Sequence, residues 1–176
     1  TMDFTLSEEH RQLIETTRRF ARERIIPVAK DCDHESRFPM DVFKAAWELG
    51  IINPTVPAEY GGAGFGEFEN AIITEQLAYG CSGISTSMLA NGLALTPVKL
   101  GGSEEQKKKY LGMLTSEPIL ASYATSEPDA GSDVAGLKTK FRKVGDDYVL
   151  HGQKCWITNA SYAQWYVIFA TSDTAL

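Results

Sequence analysis

The stretch richest in groups able to do chemistry runs from Tyr123 to Gly136, reading Tyr-Ala-Thr-Ser-Glu-Pro-Asp-Ala-Gly-Ser-Asp-Val-Ala-Gly. It begins as the end of a buried strand, Ile119 to Tyr123. Pro128, Gly131 and alternating small polar residues then turn it into an open loop. Such a loop offers unpaired backbone N–H groups and the Ser126 and Ser132 hydroxyls with little side-chain bulk, which a backbone needs to approach a phosphate or a flat heterocycle. An ordinary strand-to-turn loop has the same composition. A second stretch, Trp156-Ile157-Thr158-Asn159, sets an aromatic plane two residues from a hydroxyl donor. In a strand both point to one face, where they can stack on a flat ring and hydrogen-bond its edge.

These stretches, with Gly152-Gln-Lys-Cys-Trp-Ile-Thr-Asn159, Ala46-Trp-Glu-Leu-Gly50 and Gln106-Lys-Lys-Lys-Tyr-Leu-Gly112, make the chain resemble the acyl-CoA dehydrogenases, medium-chain branch, from about Phe4 to Asp173. The resemblance implies FAD as cofactor and a fatty acyl-CoA thioester as substrate, oxidised in β-oxidation. Electrons would pass to electron-transferring flavoprotein, in a homotetramer of the mitochondrial matrix (the bacterial cytoplasm in a prokaryote). It also implies that Tyr123, Thr125, Ser126, Gly131 and Ser132 line the flavin, with Ser132 also reaching the acyl-CoA. Trp156 and Ile157 would lie against the ring system, Trp156 stacking on the isoalloxazine, and Thr158 would donate to its reactive nitrogen, N5. Ser126 and Asp129 stand where the medium-chain form carries threonine and glycine. Ser126 keeps the hydroxyl, whereas Asp129 adds a negative charge near the turn. The family's catalytic glutamate is expected beyond Leu176, so no residue of this chain is assigned as catalytic, and neither Glu127 nor Asp133 is given that role.

Length and composition set outer bounds. The 176 residues are 43% hydrophobic, enough for one domain or two small ones. No apolar run approaches a membrane span, which predicts a soluble chain. A net charge of −6 and a pI near 5.1 argue against nucleic acid as partner. Cys32, Cys81 and Cys155 are odd in number and far apart, which suits a reducing compartment. His10, His34 and His151 show no ligand-like spacing, so no metal is expected. No targeting segment is read ahead of Asp3-Phe4.

The elements that must position these residues divide into helices and then strands. Thr5-Leu-Ser-Glu8 has the form of a capping box, followed by an apolar stripe to Val28 that Pro27 should kink. Pro39 opens a helix over Met40 to Leu49, and Gly50 stops it. Gly61-Gly-Ala-Gly-Phe-Gly66 follows a helix and has the wrong glycine spacing for a dinucleotide fingerprint, so it reads as a flexible connector. Gly131 to Gly136 fails as a P-loop because Leu137 stands where lysine is needed. Helices are expected over Glu67–Tyr79, over Ser82–Leu100 and from Ser103-Glu-Glu-Gln106, a capping box, to about Leu114. Glu67, Glu69 and Glu75 read as exposed helix positions. Met88, Leu89, Leu93 and Leu95 suit either an acyl pocket or plain core.

After Pro118 the period changes to that of strands: Ile119–Ser126, Leu137–Val144, Tyr148–Thr158 and Trp165–Thr171, with a tight turn at Val144-Gly-Asp-Asp147. The order predicts an α+β chain, with an all-α helical domain over 1–117 and the first part of an incomplete antiparallel β-domain over 118–176. The family's C-terminal helical bundle would be absent. A naturally short, non-catalytic helical protein for binding or assembly is an alternative reading, as is a piece of an acyl-CoA oxidase.

Overall fold

The computed structural model describes residues 5–172, so Phe4, Asp173 and the expectations that touch residues 1–4 or 173–176 lie outside it. Helix α1 (Glu8–Phe20) starts at Ser7, whose hydroxyl accepts from the His10 N–H at 3.2 Å. The expected cap at Thr5 is therefore two residues early, because Glu8 and Glu9 already occupy the first turn, where their charge suits the helix dipole. A π-turn, Ala21–Ile25, joins α1 to α2 (Ile26–Glu35). Pro27 sits in the first turn of α2, and the wider turn before it absorbs the missing N–H, so the chain continues without a break. Helix α4 (Glu67–Gly80) packs on this turn. A Cβ on Gly80 would stand 2.9 Å from Ile25 Cγ2 and 3.2 Å from Ala21 Cβ, so only glycine allows that approach.

Helix α3 (Met40–Glu48) lies between Pro39 and Gly50, whose φ of +78° ends it as expected. The loop over 51–66 is tied rather than flexible, which corrects the expectation for Gly61–Gly66. Gly62, Gly64 and Phe65 N–H groups donate to Pro57, Val56 and Pro54 carbonyls at 3.1, 2.9 and 3.0 Å. The single long helix expected over 82–100 is two, α5 (Ser82–Leu89) and α6 (Asn91–Gly101). The break at Ala90 leaves Asn91 free to turn its amide onto a neighbouring strand. Helix α7 (Glu104–Ser116) carries the capping box read from sequence, with Ser103 and Gln106 bonded reciprocally at 3.2 and 2.9 Å.

Among the described residues the helices are followed by five short strands, so the α+β class holds. Strand β1 (Leu120–Ala124) pairs with β4 (Ala163–Ile168) in parallel. Strands β2 (Lys140–Val144) and β3 (Asp147–His151) form the antiparallel hairpin expected at Gly145-Asp146, with Gly145 at φ +63°. Strand β5 (Thr171–Ser172) joins β2 in parallel. Among the described strands antiparallel pairing is thus confined to one hairpin, because the chain crosses over between β1 and β4 and enters both in the same direction. The long strand expected over Tyr148–Thr158 ends at His151.

Strand β1 lies between two cores. Leu120 enters one with Phe20, Ile25, Phe43, Ile73, Leu77 and Met88. Ala121, on the opposite face, enters the other with Leu95, Leu111, Leu114 and Trp165. Asn91, only 1% exposed, donates to Ile119 O at 3.1 Å and accepts from Ala121 N–H at 2.7 Å. Alternation puts those groups on one edge of β1. The Ala124 carbonyl, on the other edge, accepts from Phe169 N–H, continuing the β4 side. One side-chain amide therefore caps the start of the edge that β4 leaves open. No helix among the described residues is long and apolar enough to cross a membrane.

Candidate functional site

The segment after β3 leaves the sheet at Gly152. A Cβ there would stand 2.7 Å from Thr139 Cα, so glycine alone lets the two backbones meet. Lys154 to Asn159 then runs alongside the C-terminal end of β1. Cys155 N–H donates to Ser126 O at 3.0 Å, and the Lys154 ammonium donates to Thr125 O at 2.9 Å. Ser122 Oγ donates to Thr158 O at 2.8 Å, and Asn159 Nδ2 to Ser87 O on α5 at 2.6 Å. These bonds replace a ladder, so Trp156 and Thr158 do not share a strand face. Trp156 sits in a bend at φ +59°, with Asn159 at +63°. That left-handed backbone is unusual for a bulky residue and holds only where the surroundings fix it.

The result is a bare aromatic plane. Trp156 is 93% exposed. Thr158 is exposed and lines a hollow of about 470 Å³ with Ser85, Thr86, Leu89, Leu93 and Thr96. Ile157 is half-buried and faces a different hollow, of about 440 Å³, shared with Cys32, Phe38, Cys81 and Tyr162. The four apolar residues weighed for an acyl pocket divide. Met88 is plain core, whereas Leu89, Leu93 and the buried Leu95 line the Thr158 hollow, Leu93 being exposed.

On the other segment, Thr125 and Ser126 are half-buried beside Lys154 and Cys155. The Thr125 hydroxyl oxygen is buried with no hydrogen-bond partner. Tyr123 is half-buried, its ring 5.0 Å from that of Phe169. Gly131 and Ser132 are exposed on the turn before a short 3-10 segment, Val134–Gly136, and no described hydrogen bond links them to Trp156. The charge at Asp129 is met by Lys138 at 2.8 Å, both side chains being well exposed.

Sequence reasoning missed what holds this arrangement together. Glu127, 6% exposed, accepts from the Lys154 ammonium at 2.8 Å and from the backbone N–H groups of Lys138 and Thr139 at 2.7 and 3.0 Å. Lys154 foremost, then the Thr139 side chain and the Lys138 N–H, hold its carboxyl down at about 2, against an ordinary 4.5. The neighbouring Pro128 and Asp129 are exposed and read as surface turn; only the lysine 27 positions away signals otherwise. Glu69, expected to be exposed, is half-buried and bonded to His10 Nε2 at 2.8 Å.

The depressed pKa of Glu127 gives a pH prediction. The folded state gives up this proton more readily than the unfolded chain, so the pair's contribution is complete above about 4.5 and is lost as pH falls toward 2. The stability gap between wild type and Glu127→Gln, followed by urea unfolding at successive pH values, should narrow across that window. A gap independent of pH would mean that the carboxylate charge stabilises nothing.

Comparison with known proteins agrees with this architecture. The family model for the acyl-CoA dehydrogenase N-terminal domain matches residues 7–118, and that for the middle domain residues 122–176. Over 172 residues the chain is 42% identical to the probable medium-chain specific acyl-CoA dehydrogenase 2, mitochondrial, of Caenorhabditis briggsae, covering 98% of this chain and 42% of that protein. It is 39% identical to the probable acyl-CoA dehydrogenase YngJ of Bacillus subtilis (strain 168), covering 97% and 45%. The structure of an acyl-CoA dehydrogenase complexed with FAD from Bacillus anthracis superposes with a TM-score of 0.90 at 35% identity, covering 98% of this chain and 30% of that one. The chain thus spans less than half the length of the curated relatives it matches.

Proposed function

Since the chain belongs to the acyl-CoA dehydrogenase family, an oxidoreductase family, we propose that it forms one wall of an FAD site in an enzyme that oxidises a fatty acyl-CoA between its α and β carbons. The observation that carries this reading is the exposed Trp156 indole, fixed in a left-handed bend beside Thr125 and Ser126. A plane held that way covers little among the described residues and suits a flat ring. The buried, unpartnered Thr125 hydroxyl is a second point of fit, since such an oxygen is normally satisfied.

The flavin, when bound, supplies the hydride acceptor. Trp156 would stack on the ring and Thr158 would donate to its N5, so both residues act by orientation. Thr125 and Ser126 offer hydroxyls to the ring edge. Tyr123 and Ile157, both half-buried, would close the wall behind it. The exposed Gly131–Ser132 turn offers N–H groups and a hydroxyl to phosphate, with Ser132 also reaching the thioester. Leu89 and Leu93 give the neighbouring hollow an apolar rim suited to an acyl chain. Glu127 is unfit as the base for the α-proton, being already engaged by three donors, so we place that base outside residues 1–176.

We further assign the domain boundary to 117/118, between the end of α7 and the start of β1. By kinship, electron-transferring flavoprotein is the acceptor and a homotetramer the assembly. The mitochondrial matrix is the proposed location, by analogy with the mitochondrial nematode relative; the bacterial cytoplasm replaces it in a prokaryote. The purely helical assembly reading is not favoured, because the middle-domain model also matches.

Two measurements test the proposal. In the full-length polypeptide, Trp156→Ala should raise the Kd for FAD by about tenfold or more, the loss typical of one aromatic platform. An unchanged Kd removes Trp156 from the site. The 176-residue chain, given FAD and a medium-chain acyl-CoA without oxygen, should leave the flavin band unbleached; bleaching would show that the base lies within it.

A further inference from the structure

The two segments of the site meet through an unusual connection. Of the bonds between residues 122–127 and 154–158, two come from the Lys154 ammonium, which reaches both Glu127 and the Thr125 carbonyl. The Lys154 and Glu127 side chains are only 11% and 4% exposed. Glu127 also takes the Lys138 and Thr139 N–H groups, which anchors it to the segment leading into β2. Stability alone does not call for this choice of residues, since an apolar pair of similar volume commonly does as well or better than a buried ion pair. What the ion pair supplies, and an apolar contact does not, is direction. Charged donors and acceptors fix distance and angle at once.

We infer that Glu127 and Lys154 are positioning residues, which set the separation between Thr125–Ser126 and Trp156–Thr158 and so the angle at which indole and hydroxyl meet the flavin. The inference rests on the flavin reading above. Neither side chain is proposed to touch the substrate or the ring. Lys154 acts through the two residues that follow it, and Glu127 through Lys154.

The test is Lys154→Met in the full-length holoenzyme, which keeps an unbranched stem and removes the donors. FAD should remain bound, and KM for a medium-chain acyl-CoA should stay within about twofold. Flavin reduction in anaerobic stopped flow should slow at least about tenfold, since small misplacements of this kind cost up to about a hundredfold. The visible flavin band should shift, and Lys154→Arg should recover part of both the rate and the band. Glu127→Gln, which keeps an acceptor for the two N–H groups, carries the same test if Lys154→Met does not fold. Wild-type reduction rate and band in a folded variant would overturn the positioning role while leaving the flavin reading intact. A wild-type full-length protein that binds no FAD would overturn the flavin reading itself, and this inference with it.

Discussion

Thr158→Val should retain flavin and slow its reduction by an acyl-CoA by about a hundredfold, the usual cost of removing one preorganised donor from a position where charge develops. The backbone at this residue is held independently of its side chain. Its carbonyl accepts from Ser122 on β1, and the next residue, Asn159, is bonded to Ser87 on α5. Thr158 itself is exposed, so valine of nearly equal volume disturbs little packing. The substitution therefore isolates the hydroxyl. Anaerobic stopped flow reads the rate and a flavin titration reads the affinity. An unchanged rate ends the donor assignment, whereas loss of flavin would make Thr158 a binding residue instead.

Asn91→Ala is expected to give the largest loss of stability. It leaves the Ala121 N–H and the Ile119 carbonyl without partners in a setting where Asn91 is 1% exposed. At about 1–3 kcal/mol for each buried group left unpaired, the cost is roughly 2–6 kcal/mol. For a chain of this size Tm moves about 2–4 °C per kcal/mol, so melting should fall by roughly 4–24 °C. Flavin affinity should fall with it, because β1 leads directly into Thr125 and Ser126. A Tm within a degree of wild type would mean that water replaces the amide at that edge.

Most of the helical half was legible because its signals are local. Ser103 and Gln106, or Pro39 and Gly50, act within one turn and no distant contact reverses them. The split at Ala90 was illegible because its cause is a hydrogen bond to a strand 28 residues further on. The same reason explains the mistaken strand at Trp156. Indole, isoleucine and threonine favour an extended chain, but Lys154 and Cys155 are bound to Thr125 and Ser126, and those bonds outweigh propensity. Parallel pairing of β1 with β4 left no mark in either segment. The support of the candidate site was not legible, since Glu127 beside Pro128 looks like any exposed turn.

The β1–β4 pairing also has a consequence for synthesis. Leu120 pairs with Ala163, so β1 leaves the ribosome 43 residues before its partner. At about 5–20 residues per second that interval is roughly 2–9 s. Through it the Asn91 amide, already translated, can satisfy one edge of β1 while the other stands open as a template for any passing strand. Chaperone demand for this protein should therefore be concentrated in those seconds, and a ribosome stall between Ala124 and Ala163 should aggregate nascent chains more than a stall after Ile168.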